Sequence, residues 1–361
     1  MGQIRSPHPD RVSRIRSLLS DQELDAVLIQ NLANIFYLVG FSGSDGALLI
    51  SGAKTVLLVD GRYITQAGAE TPSSEIVEYR DKTKGITRFI AENGFRRIGF
   101  ESSVMSFQQH HDLASQTSGT DWIPIARGIE ELRSIKDAEE LSCIRKAIAL
   151  STRAFQIVMA EARPGICERE IAIELDYRMR REGAENVSFS TIVASGENSA
   201  LPHAKPGSRR LAPGDLVVID FGSVYRGYCS DETCTVAVGP LSPVNKEIYR
   251  IVKNAHDIAL EAIKDGAFCR DIDKLVRDFI DNKGYGPYFS HATGHGVGLE
   301  VHEFPRLNRL SEAVLKSGMV ITVEPGIYIP GQGGVRIEDM VLVREHGCEK
   351  LTELPKELKF I

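Results

Sequence analysis

Four carboxylates set inside or against apolar, strand-like runs constrain this chain more than any other feature. Asp220 lies near the end of DLVVIDFG (215–222), Asp231 follows in GYCSDETCTV, Glu324 sits in MVITVEPG and Glu338 in GVRIED. A carboxylate taken out of water is costly unless it is paired, hydrogen-bonded or bound to a metal. Gly222, Gly227 and the polar stretch between them allow a chain reversal that brings the two aspartates together. Four such groups gathered in one place would repel one another unless cations lay between them. Each residue alone has a plainer reading: Asp220 as a turn former, Asp231 in a surface loop, Glu324 ahead of a Pro-Gly turn. The set as a whole is what argues for a metal site.

His295 offers a nitrogen donor in HATGHGVGLEVHE (291–303), where glycines leave room for close approach, although an ordinary loop histidine fits that setting too. One imidazole among oxygen donors suits Mn²⁺, with Co²⁺, Fe²⁺ and Zn²⁺ as rivals. Two such ions ~3.5–4 Å apart could bridge and acidify a water. The glycines at 294, 296 and 298 do not make a dinucleotide-binding turn, because the spacing is wrong and Glu300, His302, Glu303 and Pro305 break the segment that follows.

The surrounding pattern predicts two domains, 1–130 and 131–361, as a chain of 361 residues suggests. In the first, RVSRIRSLLSDQ (11–22) has helical periodicity, while DAVLIQ, ALLI, KTVLLVD and RIGFE read as strands of a compact α/β domain. In the second, a helix begins at Asp137, whose D-x-x-E run resembles a capping signal, and stops at Pro164-Gly165. Another helix ends at Gly183, and strands follow at VSFSTIVA (187–194), DLVVIDFG and TCTVAV. The order then repeats, with helices around Ile248–Ile263 and around Ile272, Leu275, Val276 and Phe279, then strands at MVITVEP, GVRIED (334–339) and MVLV. Two helices followed by strands, twice over, predict a pseudo-twofold α+β domain with a curved sheet.

A net charge of -6 gives no reason to expect nucleic acid or an anionic membrane as partner. Arg178, Arg180 and Arg181 read as a solvated helix face. The charged N-terminus lacks the apolar core of a secretory signal, and none of the six cysteines forms a C-x-x-C pair, so reduced thiols in the cytoplasm are the expectation.

VVIDFG, GYCSDET, GHGVGLEVHE, TVEPGIYI and GVRIEDM, in that order, resemble the motifs of the pita-bread metallopeptidases. That family includes aminopeptidase P, prolidase and methionine aminopeptidase, and the non-metal enzyme creatinase. The run DAVLIQNLANIFYLVGFSGSDGALLI, followed by VDGRY, is similar to the N-terminal domain of the Xaa-Pro peptidases and creatinase. The resemblance implies a pita-bread catalytic domain preceded by a smaller creatinase-type domain. It implies Asp220, Asp231, His295, Glu324 and Glu338 as ligands of two metals, with Asp231 and Glu338 touching both. His203 and His302 would bind the substrate carbonyl and the tetrahedral intermediate, His291 would line a proline pocket, and Tyr328 and Arg336 would form a polar pair beside the site. In one place the chain departs from the family's D-x-T-R-T: Cys234 stands where an arginine is usual. That puts in doubt whatever carboxylate the arginine would have paired.

The expected activity is release of the residue ahead of proline from a peptide with proline second, as in aminopeptidase P. A metal-bridged hydroxide would attack, and Glu324 would carry the proton to the proline nitrogen. The alternative is prolidase, which takes dipeptides and needs a cation or a steric block to recognise the substrate carboxylate. A catalytically dead binding module on the same fold is the third reading. Family members of this two-domain form are commonly dimeric, which implies a homodimer.

Overall fold

The computed structural model describes residues 9–361. They divide into two compact units, one ending at Arg133 and the other spanning Ser134–Ile361. Among the described residues no helix is long and apolar enough to cross a membrane.

The first unit runs α1 (Pro9–Asp21), β1 (Ala26–Ile29), α2 (Leu32–Val39), β2 (Ala47–Ser51), β3 (Thr55–Asp60), α3 (Ile64–Glu70), β4 (Glu75–Tyr79), α4 (Lys82–Asn93), β5 (Arg97–Glu101), α5 (Phe107–Gln116), β6 (Asp121–Ile125) and α6 (Gly128–Ser134). Its six strands form one mixed sheet in the order β4-β3-β2-β1-β5-β6, antiparallel only where β2 meets β1 and β3. The central strands AVLI and ALLIS are buried throughout and apolar except for Ser51, because both faces are covered. The edge strands EIVEY and DWIPI escape the sequence reading. Both are half-exposed, and Pro124 is tolerated because β6 has a neighbour on one side only.

The second unit is built from two similar halves. The first has α7 (Ala138–Glu161), α8 (Glu168–Glu182), β7 (Asn186–Val187), β8 (Ile192–Ser195), β9 (Leu216–Phe221), β10 (Ser223–Tyr225), β11 (Tyr228–Cys229) and β12 (Glu232–Ala237). The second has α9 (Pro243–Ala262), α10 (Cys269–Asn282), β13 (Gly294–Gly296), β14 (Glu303–Leu307), β15 (Val320–Val323), β16 (Gly326–Ile329), β17 (Gly333–Arg336), β18 (Asp339–Arg344) and β19 (Gly347–Lys350), before β20 (Lys359–Phe360). The capping box at α7 forms as expected: Asp137 Oδ1 accepts from the Glu140 amide at 2.8 Å, and Glu140 Oε2 accepts from the Asp137 amide at 2.9 Å.

Each half lays its helix pair on one sheet. Phe155, Ile171, Leu175 and Met179 pack on Val217, Ile219, Phe221 and Val236 of the sheet β20-β12-β9-β8. Ile248, Val252, Ile272 and Val276 pack on Ile321, Val323, Val341 and Val343 of the sheet β14-β13-β15-β18-β19. Successive strand side chains alternate faces, so the residues between these core positions point away from the helices. There the sheets meet along a seam: the Glu338 amide donates to Thr233 O (3.2 Å) and the Thr235 hydroxyl to Arg336 O (2.8 Å).

Three local readings need correction. The run 187–194 is two strands rather than one, because Ser188 turns to bond Gly222 O and Ser223 O before the chain rejoins β9 at Ile192. The run 334–339 also splits: β17 ends at Arg336, paired with β16, and Ile337-Glu338 cross to begin β18 in another sheet. Leu275 is about half exposed, since the buried stripe of α10 is Ile272, Val276 and Ile280.

Candidate metal centre

The alternation of β9 and β12 determines what reaches the seam. Val217, Ile219 and Phe221 enter the helix-side core, which leaves Asp220 on the opposite face, paired in register with Thr233. Two residues before Thr233, Asp231 shares that face. The tight reversal depends on Gly222, where a Cβ would lie 2.0 Å from Ser230 O. Across the seam, β13 carries His295 beside Gly294, whose missing Cβ would fall 2.0 Å from Thr322 O. Glu324 follows β15, and Glu338 lies between β17 and β18.

One oxygen each from Asp231 and Glu338 and one nitrogen of His295 lie within 4.8 Å of one another. His295 Nε2 is 3.2 Å from Glu324 Oε1 and 3.7 Å from Asp231 Oδ2. Nδ1 of the same ring is 3.1 Å from Gly296 O, a contact that fixes the ring with Nε2 facing the carboxylates. Asp220 Oδ2 accepts from Arg336 Nη2 at 2.6 Å, whereas its Oδ1 is buried without a partner. Glu338 Oε2 accepts from the Thr233 hydroxyl at 2.7 Å.

Burial pushes the Asp231 and Glu338 carboxyls well above the ordinary range, and the neighbouring carboxylates push them further. Asp220 is raised by burial against the pull of Arg336. Burial also opposes ionisation of Glu324, but the hydrogen bond and charge of His295 outweigh it and hold Glu324 at about 2. Four carboxylates, one of them with an orphaned oxygen, and one imidazole nitrogen form a donor set suited to divalent cations, which reverse this repulsion.

The remaining sequence-predicted residues lie around these five. The rings of His295 and His302 are 4.3 Å apart between centroids. His302 is held below its usual pKa by burial, then by His295 and Arg306, and His291 mainly by burial. His291 Nε2 is 2.8 Å from the Tyr328 hydroxyl, which accepts from Arg336 Nη1 at 3.0 Å. Arg336 Nη1 also donates to Pro202 O (3.0 Å), next to His203, whose ring is exposed and close enough to act on His291 and His302.

Sequence reasoning missed several contributors. Thr233 was legible as the residue two past Asp231, hence on its face. Asp273 accepts from both the amide and hydroxyl of Thr293 and pairs with Arg277, which donates to the carbonyls of Phe289 and His291. Arg306 pairs with His295 in the β13–β14 register. Nothing local marked those residues, because their roles depend on strands brought together from afar.

The fold and the donor cluster define a metallopeptidase with an added N-terminal domain. Residues 142–345 match metallopeptidase family M24, and residues 11–135 match the creatinase/prolidase N-terminal domain. This chain belongs to metallopeptidase family M24, and is a hydrolase of peptides that works with divalent metal. It is 39% identical to the Xaa-Pro dipeptidase of Pyrococcus horikoshii, over 97% of this chain and 98% of that one. Among solved structures, the Xaa-Pro dipeptidase of Bacillus anthracis superposes with a TM-score of 0.93 at 40% identity, covering 98% of this chain and 99% of that one. The X-Pro aminopeptidase of Thermotoga maritima gives 0.90 at 39% identity, covering 97% and 99%.

Proposed function

We propose that this chain is an Xaa-Pro dipeptidase, with Asp220, Asp231, His295, Glu324 and Glu338 holding two divalent ions. The aminopeptidase P expectation from the sequence gives way to its alternative, which the dipeptidase relatives support better. The observation that carries the choice is Arg306. Residues paired across neighbouring strands share a face, so Arg306 stands on the face of His295. It is exposed, forms no ion pair among the described residues, and lies near enough to lower the pKa of His302. It offers the kind of unpaired cation that a dipeptidase needs for the carboxylate of the C-terminal proline.

Divalent ions there, with Mn²⁺ favoured over Co²⁺, Fe²⁺ or Zn²⁺, would polarise the scissile carbonyl and acidify the attacking water. The protein's own groups do the rest. Glu324, ionised at neutral pH, accepts the water proton and delivers it to the proline nitrogen. His302 and His203 donate N–H groups to the carbonyl oxygen and the developing oxyanion. His291 walls the proline ring, and the Tyr328–Arg336 pair fixes both His291 and the Pro202-His203 backbone. A homodimer in the cytoplasm is part of the proposal, and light scattering checks the assembly.

The test compares Ala-Pro with its C-terminal amide. A charged hydrogen bond contributes ~1.5–3 kcal/mol, so amidation should raise KM roughly 10–100-fold, and Arg306→Met should erase the difference. Equal cleavage of both peptides by the unaltered enzyme would return the assignment to the aminopeptidase.

A further inference from the structure

On the helix-facing side of the same seam lies a second charged cluster. Glu232 directly follows Asp231, and Asp339 directly follows Glu338, so strand alternation turns each away from its neighbour. Glu232 faces the α7–α8 core beside Cys234 and Val236, while Asp339 faces the α9–α10 core beside Val341. Lys356, from the C-terminal segment, lies between them. Its Nζ is 2.5 Å from Glu232 Oε1, 3.4 Å from Asp339 Oδ1 and 3.6 Å from Cys234 Sγ, and all three charged side chains are at most 3% exposed.

The segment around Lys356 is tied to both sheets. The Thr352 hydroxyl donates to Asp339 Oδ1 (2.5 Å), the Leu351 amide to Met340 O (2.9 Å), and the Tyr249 hydroxyl to Lys356 O (2.9 Å), while β20 pairs with β12. His256 Nε2 lies 3.2 Å from Asp339 Oδ2, and Lys350, much more exposed, is 3.7 Å from the same oxygen. A water-sized cavity of about 10 Å³ borders Cys234 and Lys356, so Lys356 fills most but not all of the space between the sheets there.

We infer that Lys356 is a positioning residue for the metal centre: its ammonium clips the strand bearing Asp231 to the strand bearing Glu338 from behind. The two ligands come from different sheets, and their separation on the front face depends on how the seam is held on the back. Lys356 touches neither ligand and acts through Glu232 and Asp339. The inference rests on Asp231 and Glu338 being ligands.

The test titrates metal-free protein with Mn²⁺ alone, following free Mn²⁺ by electron paramagnetic resonance, with the melting temperature of each metal-free variant recorded alongside. Lys356→Met strands two buried acids and so is paired with Lys356→Met/Glu232→Gln, which removes one charge of each sign and leaves the net charge unchanged. Loss of an outer contact that orients a ligand weakens metal binding about 10–100-fold, and that is the result expected for the folded double variant. Lys356→Arg, which keeps the charge on a different head group, should recover most of the affinity. A purely electrostatic role predicts the opposite sign for Lys356→Met, since losing a cation would tighten Mn²⁺ binding. The inference is overturned if the folded double variant binds Mn²⁺ as the unaltered chain does and only its melting temperature falls. If the unaltered chain takes up no Mn²⁺, the ligand assignment fails first and the inference falls with it.

Discussion

The two faces of the seam hold carboxylates that are neighbours in sequence yet live in opposite electrostatic settings. In front, Asp220, Asp231, Glu324 and Glu338 share one guanidinium, Arg336, and a histidine whose outward nitrogen points at them. Behind, Glu232 and Asp339 have Lys356 between them and His256 alongside. Asp339 is therefore held below its ordinary range although burial opposes this, whereas Asp231 and Glu338 are driven far above theirs. Glu232 remains raised, because burial outweighs its single ammonium. Burial is common to both faces. Behind, one ammonium and one histidine serve two carboxylates, whereas in front one guanidinium and one histidine serve four, which marks the front as the place for bound cations.

The largest effect should come from the group proposed to move the proton. Glu324→Gln removes the base and one ligand, so kcat on Ala-Pro should fall by ~10²–10⁴-fold. Near-normal turnover at saturating metal would break the assignment.

The contrast sharpens in the metal-free protein, where neutralising one acid on each face should act with opposite sign. Glu338→Gln relieves repulsion and should raise the melting temperature. Glu232→Gln leaves a buried ammonium with only part of its partners and should lower it. Breaking a buried pair costs about 3–5 kcal/mol, so Lys356→Met should be the most destabilising of these changes. Chemical denaturation of all three variants checks the order.

The pH dependence follows from the raised carboxyls. Asp231 and Glu338 titrate in the folded metal-free chain well above the ordinary 3.8 and 4.5. The folded state then binds more protons than the unfolded state above those values. Stability contributed by these groups is complete below the ordinary carboxylate range and is lost as pH rises through the raised values. Melting temperatures of the metal-free protein should therefore decline from mildly acid to neutral pH, and saturating Mn²⁺ should remove the decline. A metal-free protein that gains stability across that range would contradict the reading of the front face.

The smallest effect concerns Cys234, whose thiol is pushed up to about 12 by burial despite the nearby ammonium. It stays protonated at neutral pH, so alkylating reagents should spare it in the folded enzyme. Cys234→Ala should leave kcat unchanged while costing about 1 kcal/mol in stability. Inactivation by that substitution would give the thiol a place in the chemistry.

The front of the seam was largely legible in the sequence, because a carboxylate interrupting an apolar strand run is a local anomaly. Asp220 in VVID and Glu324 in VITVEP stand out for that reason, and the helix-helix-strand order repeats over lengths that periodicity can follow. The back was not legible. Lys356 in ELPKELKF looks like any tail lysine until the tail is threaded between the sheets, and Cys234 showed only that a familiar charge was missing. Arg306 was equally silent, since its meaning comes from the strand register opposite His295. The splits at 188–191 and 337–338 were hidden because both runs keep their apolar character while changing sheets.

Titrating the metal-free enzyme with Mn²⁺ while following hydrolysis of Ala-Pro, with Ala-Pro-Ala alongside, tests the central claim most directly. The account predicts no turnover without metal, dipeptide hydrolysis that rises and saturates near two ions per chain, and poor cleavage of the tripeptide. Full activity without metal, or saturation with no bound ion, would contradict it.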